Sequence, residues 1–274
     1  MRERPPVPAF RAKRSLGQNF LTDASVLDRI IEAAGAGDGD TVLEVGPGKG
    51  ALTERLLATG ARVVAVELDE RLRTGLRVLE ANHPNLEVVW ADVMDTSWPA
   101  LGLPEGSMLV ANIPYYLTSP LILRALGADD AGDTGTPFRR LVLMVQEEVA
   151  DRLLAEPGSR QWGALSVAVR QRAEVRLVCK VPRRAFKPVP GVDSAVVCID
   201  VRAQWAVPPA SPLRFRRVVR AIFAQRRKTL RNALKSAGWS SEVLAEACAG
   251  LDPLVRGETL DLAGLVRLAD ALPD

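Results

Sequence analysis

The sequence predicts an α/β protein with a mostly parallel β-sheet, followed by a small all-α C-terminal domain. Its 274 residues are enough for one large and one small domain. Over the first two-thirds of the chain, short β-branched segments alternate with helical segments, which is typical of β-α-β units. After the Pro-rich segment 203–212, apolar residues recur only at helical spacing.

Seven segments have the length and composition of β-strands. They are Thr41–Val45, Arg62–Val66, Glu87–Trp90, Met108–Ala111, Leu141–Val145, Val175–Val181 and Ala195–Asp200. Helix signals lie between them, such as Asp23 as the N-cap of VLDRIIEAA, and LTERLLATG, which closes on Gly60. Because segment 203–212 has the composition of a linker, we expect two domains, residues 1–205 and 206–274.

Composition excludes several classes of protein. Hydrophobic residues make up 47% of the chain and charged residues 25%, as in globular proteins, and no apolar run approaches a membrane span. The N-terminal segment carries charges and prolines where a signal peptide needs apolar residues. Three scattered cysteines and one histidine argue against disulfides, metal binding and histidine catalysis. We therefore expect a cytoplasmic, monomeric protein without a metal.

The positive charge is concentrated in two blocks. Residues 211–235 contain nine Lys or Arg and no acidic residue, and residues 170–187 contain seven against one Glu. The whole chain carries only +3, so the remainder is acidic. Two such blocks favour a polyanionic partner over solvated helix faces, and we expect nucleic acid. The candidate contacts are Arg183, Arg184 and Lys187, and Arg220, Arg227, Lys228 and Arg231 on one face of a single helix.

Glycine and carboxylate residues follow the first predicted strands. TVLEV runs into Gly46-Pro-Gly48-Lys-Gly50 and then into a helix, and Glu67 ends the second strand. Glycines allow a backbone to approach a ligand closely, and a carboxylate at that place accepts hydrogen bonds from ribose hydroxyls. Asp92 follows the third strand. The pattern predicts a nucleoside-sized site, although it also occurs in dinucleotide-dependent oxidoreductases.

The fourth strand ends in Asn112-Ile113-Pro114-Tyr115. The exocyclic amine of adenine is a poor nucleophile because its lone pair is delocalised into the ring. The Asn112 side-chain oxygen and the Ile113 carbonyl are close enough in sequence to accept both amine hydrogens. Pro114 fixes the turn, and Tyr115 offers a ring on which a flipped base can stack. The alternative interpretation is a strand end with packing tyrosines.

At this point the sequence resembles the ribosomal RNA adenine dimethyltransferases over nearly the whole chain. The motifs in family order are LGQNFL (16–21), EVGPGKGALT (44–53), VELDERL (66–72), Asp92, ANIPYYLTSP (111–120), VQEEVADRL (145–153) and FKPVPGVDSAV (186–196). The resemblance implies a Rossmann-like class I methyltransferase sheet of seven strands, with S-adenosylmethionine as the methyl donor.

The resemblance also implies residue roles. Asn19 and Leu21 would reach over the cofactor, Gly46 would contact its methionine end, and Glu67 would hold its ribose. Asp92 would lie at the adenine of the cofactor, and Asn112 would be the catalytic asparagine. Phe186 would be the second aromatic residue that closes on the target base, although from the residues alone it is equally a core residue.

Two branches of this family remain open. Ile113 is typical of the large-subunit methylases that confer antibiotic resistance, whereas FAQRRKTLRNAL (223–234) and RGETLDLAGLVRLADAL (256–272) resemble the small-subunit branch. The longer C-terminal match favours the small-subunit branch. It implies dimethylation of two adjacent adenosines near the 3′ end of small-subunit RNA, within an immature 30S particle. A non-catalytic role in ribosome assembly is compatible with that activity.

Overall fold

The structure of the protein is a computed structural model that describes residues 18–128 and 135–273. Positions 16 and 17 of the LGQNFL motif lie outside the described residues. The main sheet has seven strands, which lie in the order β4 (Leu86–Trp90), β3 (Arg62–Glu67), β2 (Thr41–Val45), β5 (Ser107–Ala111), β6 (Phe138–Gln146), β9 (Ser194–Val201) and β7 (Ala173–Val181). All strand pairs are parallel except those of β9, which is antiparallel to both of its neighbours. The predicted mostly parallel sheet is confirmed.

All seven predicted strands are present, with small shifts at their ends, and two short strands were not predicted. The strands are β1 (Phe20–Leu21), β2 (Thr41–Val45), β3 (Arg62–Glu67), β4 (Leu86–Trp90), β5 (Ser107–Ala111), β6 (Phe138–Gln146), β7 (Ala173–Val181), β8 (Phe186–Lys187) and β9 (Ser194–Val201). The unpredicted β1 and β8 pair with each other outside the main sheet.

Ten α-helices complete the described fold. Those that precede the Pro-rich segment are α1 (Ala24–Ala34), α2 (Ala51–Leu57), α3 (Arg73–Asn82), α4 (Tyr115–Ala125), α5 (Glu147–Leu154) and α6 (Ala164–Arg172). Asp23 is the N-cap of α1, as predicted, and its side chain accepts a hydrogen bond from the Ser25 amide. None of the described helices combines the length and hydropathy that a membrane crossing requires.

The central strands are buried on both faces, and alternate residues belong to different cores. Leu43 and Leu109 pack on one side with helices α4, α5 and α6. Val42 and Met108 pack on the other side with α1 and α2. This alternation follows from the two-residue period of a strand, and it explains why the strands read as continuous apolar runs. The rigid sheet fixes the position of every residue that follows a strand.

The C-terminal part is helical, as predicted. Its helices are α7 (Pro212–Ala224), α8 (Leu230–Ser236), α9 (Ser241–Ala247) and α10 (Leu262–Asp270). Their core includes Phe215 and Leu265 together with Trp162 and Val167, which precede the Pro-rich segment. Trp205 of the Pro-rich segment packs edge-on against Phe215. One hydrophobic core therefore extends across the predicted domain boundary between residues 205 and 206. The boundary itself stays a prediction.

One prediction about this region is wrong. Arg220 lies on α7, which ends at Ala224, whereas Arg231 lies on α8, which begins at Leu230. Arg227 and Lys228 lie in the intervening turn. The four residues therefore do not form one face of a single helix. Residues 225–229 contain neither glycine nor proline, so no residue of a type that usually ends a helix marks the end of α7.

Gly257 offers a test of how tightly the C-terminal helices are packed. A Cβ at this position would lie 2.0 Å from Cγ2 of Ile222 on α7. Gly257→Ala is therefore expected to reduce the free energy of unfolding by about 1–3 kcal/mol through overpacking, measured by urea denaturation. Gly75→Ala on α3 is the control, because its Cβ would meet nothing within 4 Å. Equal stability of the two variants would contradict the packing.

Candidate active site

The register of the parallel strands brings the ends of four strands to one edge of the sheet. Val45 pairs with both Val66 and Ala111, and Glu67 pairs with Trp90. The residues that follow these positions therefore emerge side by side. They are Gly46 after β2, Asp92 after β4 and Asn112 after β5, beside Glu67 at the end of β3. Ligands of open parallel sheets bind at this carboxyl edge.

A cavity of about 560 Å³ opens at this edge, which is the size of a small-molecule site. Every residue predicted for the cofactor and the chemistry lines it. They are Asn19, Leu21, Gly46, Gly48, Glu67, Asp92, Asn112, Ile113, Pro114, Tyr115 and Phe186, together with Lys187. The structure therefore brings the two predicted sites into one cavity, although their roles stay predictions.

The glycine loop has backbone conformations that other residues rarely adopt. Gly46 and Gly48 have φ angles of 71° and 60°. A Cβ at Gly48 would lie 3.0 Å from the Phe20 ring, so the loop also needs the absence of a side chain. The Gly46 amide donates to the Val66 carbonyl at 2.9 Å, which holds the loop against β3. The backbone of the loop is thus close to any ligand in the cavity.

Glu67 is buried beneath this loop, with 7% of its surface exposed. Its carboxylate accepts hydrogen bonds from the amides of Gly48 at 3.1 Å and Asp69 at 2.8 Å. Burial raises the pKa of Glu67 above its usual range, although these two amides oppose the shift. Each carboxylate oxygen can accept a second hydrogen bond, so the group keeps capacity for ligand hydroxyls.

Glu44 is a second buried carboxyl group at the cavity, and the sequence analysis did not predict a role for it. It lies within β2, is 1% exposed, and its Oε2 atom is buried without a hydrogen-bond partner. Burial, and then the nearby charge of Glu67, raise the pKa of Glu44 to about 8. A glutamate inside an otherwise apolar strand was the available signal, because such a residue needs a partner or a proton.

The N-terminal segment is tied over the cavity by polar contacts. The Gln18 side chain donates to Asp69 Oδ2 at 2.8 Å, and the Arg71 guanidinium donates to both carboxylate oxygens of Asp69. These contacts, led by the Arg71 hydrogen bond, lower the pKa of Asp69 to about 2. The Thr22 amide donates to the Ala185 carbonyl at 2.8 Å beside the β1–β8 pair. Segments far apart in sequence thus close one wall of the cavity.

The two aromatic residues predicted to hold a base have different environments. Tyr115 begins α4, is partly exposed, and its hydroxyl lies 2.8 Å from Ser194 Oγ. Burial raises the pKa of the Tyr115 phenol. Phe186 is only 1% exposed and belongs to the core shared with α1, yet it also lines the cavity. Phe186 is therefore a buried core residue, as the alternative interpretation predicted. Its contact with a base stays a prediction.

The predicted RNA contacts lie in two places. Arg183, Arg184 and Lys187 are exposed around β8, and of these three residues Lys187 lines the cavity. In the C-terminal part, Arg227 and Lys228 are exposed in the turn between α7 and α8. Other arginines of the basic blocks have structural partners, such as Arg226 with Glu258 at 2.9 Å. Arg231 donates to the Cys248 carbonyl, and Arg220 on α7 is exposed.

The raised pKa of Glu44 predicts a pH dependence of stability. Between the usual value of 4.5 and the folded value of about 8, the folded protein holds a proton that the unfolded chain has released. Stability should therefore fall as the pH rises through this window, by roughly 1.4 kcal/mol per pH unit at most. Glu44→Gln keeps the shape but removes the titration, so it should stabilise the protein at pH 8 and much less at pH 5.

The measurement is urea denaturation of the wild type, Glu44→Gln and the exposed control Glu54→Gln between pH 5 and 9. The control should keep the pH dependence of the wild type. If the stabilities of wild type and Glu44→Gln ran parallel over the whole range, Glu44 would not hold the proton.

Comparisons with known proteins show the family of the chain. The family model described as ribosomal RNA adenine dimethylase matches residues 9–270. Ribosomal RNA small subunit methyltransferase A of Geobacillus thermodenitrificans (strain NG80-2) is 41% identical, over 96% of this chain and 92% of its own. The protein of the same name from Phenylobacterium zucineum (strain HLK1) is 44% identical, over 95% of this chain and 88% of its own.

Two solved structures are similar over nearly their whole length. A dimethyladenosine transferase from Plasmodium falciparum has a TM-score of 0.71 and 28% identity, covering 90% of this chain and 95% of its own. The 23S rRNA methyltransferase ErmE has a TM-score of 0.68 and 31% identity, covering 93% of this chain and 99% of its own. The sheet is that of a class I methyltransferase, as predicted. The chain belongs to the ribosomal RNA adenine dimethylase family.

Proposed function

We propose that the protein uses S-adenosylmethionine to dimethylate N6 of two adjacent adenosines near the 3′ end of small-subunit ribosomal RNA. The observation that carries the proposal is a single cavity that contains the glycine loop with Glu67 and the Asn112-to-Tyr115 segment. A methyl donor and an acceptor amine must meet in one enclosed place, because transfer requires the reacting atoms to be in contact. The proposal extends to a cytoplasmic monomer acting on an immature 30S particle.

The residues present fit the proposed cofactor. S-adenosylmethionine carries an ammonium group and two ribose hydroxyls, all of which donate hydrogen bonds. The cavity offers the carboxyl groups of Glu44, Glu67 and Asp92 as hydrogen-bond acceptors, and the Glu44 Oε2 atom is buried without a hydrogen-bond partner. Gly46 and Gly48 leave room for the close approach of a ligand to the backbone. When bound, the cofactor would supply an electrophilic methyl group on a sulfonium.

Asn112 and Ile113 would prepare the acceptor amine. The side-chain oxygen of Asn112 and the backbone carbonyl of Ile113 would accept the two N6 hydrogens and localise the nitrogen lone pair. Tyr115 would stack on the base and Phe186 would close its pocket. The nitrogen would take the methyl group as the bond from this group to the sulfonium sulfur breaks and a neutral thioether leaves, and the nitrogen would then release one proton to solvent. No strong base is required, which suits a cavity that histidine does not line.

The choice of the small subunit rests on the relatives. Proteins named ribosomal RNA small subunit methyltransferase A are 41% and 44% identical to this chain, against 31% for ErmE. The second candidate is methylation of large-subunit RNA, which Ile113 and the high TM-score of ErmE favour. The exposed basic residues around β8 and in the α7–α8 turn would contact RNA phosphates in either case.

Asn112→Ala should reduce turnover about a hundredfold, on the scale of one lost transition-state hydrogen bond. The affinity for S-adenosylmethionine should change much less, because the proposed role of Asn112 is mainly towards the target amine. Turnover is measured by labelled methyl transfer to unmethylated small-subunit particles, and affinity by calorimetry. Asn82→Ala, at the exposed end of α3, is the matched control. An equal loss in both quantities would remove Asn112 from the chemistry.

Replacing Arg227 and Lys228 by Gln should weaken RNA binding and lower its salt dependence. Two lost phosphate contacts should reduce the slope of log affinity against log salt by about one to two. The effect should be similar for different RNA sequences, since phosphate contacts carry no base information. Arg29→Gln with Arg77→Gln is the control, because these exposed arginines lie on α1 and α3. Equal slopes for the two double variants would mean that the turn does not bind RNA.

A further inference from the structure

The Tyr115 hydroxyl is held by a residue that does not itself reach the cavity. The hydroxyl lies 2.8 Å from Oγ of Ser194, which is 79 positions away in sequence. Tyr115 lines the cavity, whereas Ser194 is absent from its wall and is fully buried. Ser194 can therefore influence a bound base only through the tyrosine ring.

Ser194 is a firm anchor because its backbone is fixed from several sides. It begins β9 and pairs with Gln146 at the end of β6 and with Val181 at the end of β7. The preceding residue, Asp193, accepts hydrogen bonds from the amides of Arg183 at 2.8 Å and Glu147 at 3.1 Å. Because β9 is antiparallel to β6, its first residue, Ser194, lies at the edge of the sheet where the parallel strands end. The Asn112-to-Tyr115 segment lies at the same edge.

Tyr115, by contrast, follows a short irregular segment. Residues 112–114 belong to no helix or strand, and Tyr115 is the first residue of α4. A phenol ring on such a backbone rotates about two side-chain bonds unless its far end is held. The neighbouring Tyr116 has the same side chain but is 65% exposed. A hydrogen bond at the tip of the Tyr115 ring fixes the plane on which a base would stack.

We infer that Ser194 is a positioning residue, which holds the Tyr115 ring in the orientation that presents adenine N6 to Asn112. This inference rests on the proposed function, since it assigns the stacking role to Tyr115. The Tyr115 hydroxyl then transfers no proton, and it contributes to catalysis only through its hydrogen bond to Ser194. Removing either hydroxyl should have the same effect, and removing both should have no further effect.

The test is a double-mutant cycle with Ser194→Ala and Tyr115→Phe. Each single variant should lower kcat/KM for RNA about three- to tenfold, the scale of one neutral hydrogen bond, and the double variant should match the singles. The affinity for S-adenosylmethionine should stay within about twofold. Tyr115→Phe leaves the buried serine in place, so the cycle does not depend on Ser194→Ala alone.

Ser107→Ala is the matched control. Ser107 also begins a strand, is 1% exposed, and donates to the Pro104 carbonyl at 2.6 Å, but it lies at the opposite edge of the sheet. It should change stability without changing kcat/KM per folded molecule. Multiplicative losses in the double variant, or a Ser194→Ala protein that loses only stability, would overturn the inference.

A spectroscopic measurement tests the hydrogen bond between Tyr115 and Ser194, here called the tether, without an activity assay. The chain has two tyrosines, so 3-fluorotyrosine labelling gives two sites for ¹⁹F NMR, which Tyr116→Phe assigns. Ser194→Ala should shift or broaden the Tyr115 resonance and leave that of Tyr116 unchanged. An unchanged Tyr115 resonance would overturn the tether. If the tether is present but the wild type methylates no small-subunit RNA, the proposed function fails instead.

Discussion

The hydrogen bonds accepted by the buried carboxylate of Glu67 are the interactions on which the rest of the site depends. It accepts hydrogen bonds from the amides of Gly48 and Asp69, so it joins the glycine loop after β2 to the chain after β3. Asp69 in turn receives hydrogen bonds from Gln18 and Arg71. A chain of polar contacts thus fixes three segments around one cavity. Such a network is stable only because its buried groups are paired.

The predicted substrate side of the cavity depends on β9, which is antiparallel to its neighbours in the main sheet. Because β9 runs against β6, its first residue, Ser194, reaches the same edge at which β5 delivers Asn112. The parallel strands thus supply the residues predicted to bind the cofactor, and β9 supplies the hydrogen-bond partner of Tyr115. Phe186 on β8 pairs with Leu21 on β1, so the residue predicted to close on the base is joined to the segment predicted to cover the cofactor.

Much of this arrangement was predictable from the sequence, for physical reasons. The central strands are buried on both faces and form continuous apolar runs, and the edge strands β4 and β7 contain several β-branched residues, so all seven strands of the main sheet were predicted. The residues at the ends of β2 to β5 were placed at one edge of the sheet. The two-residue strands β1 and β8 have no such pattern and exist only through tertiary contact. The end of α7 at Ala224 was missed because helix-forming residues continue beyond it. Glu44 was missed because its significance depends on an unpaired buried oxygen.

The most direct test of the account is to map the methylated nucleotides. Purified protein, labelled S-adenosylmethionine and unmethylated small-subunit particles would be combined, and the RNA product analysed by nuclease digestion and mass spectrometry. The account predicts N6,N6-dimethyladenosine at two adjacent positions near the 3′ end of the small-subunit RNA. Label confined to large-subunit RNA in a parallel reaction, or no label in either RNA, would contradict it.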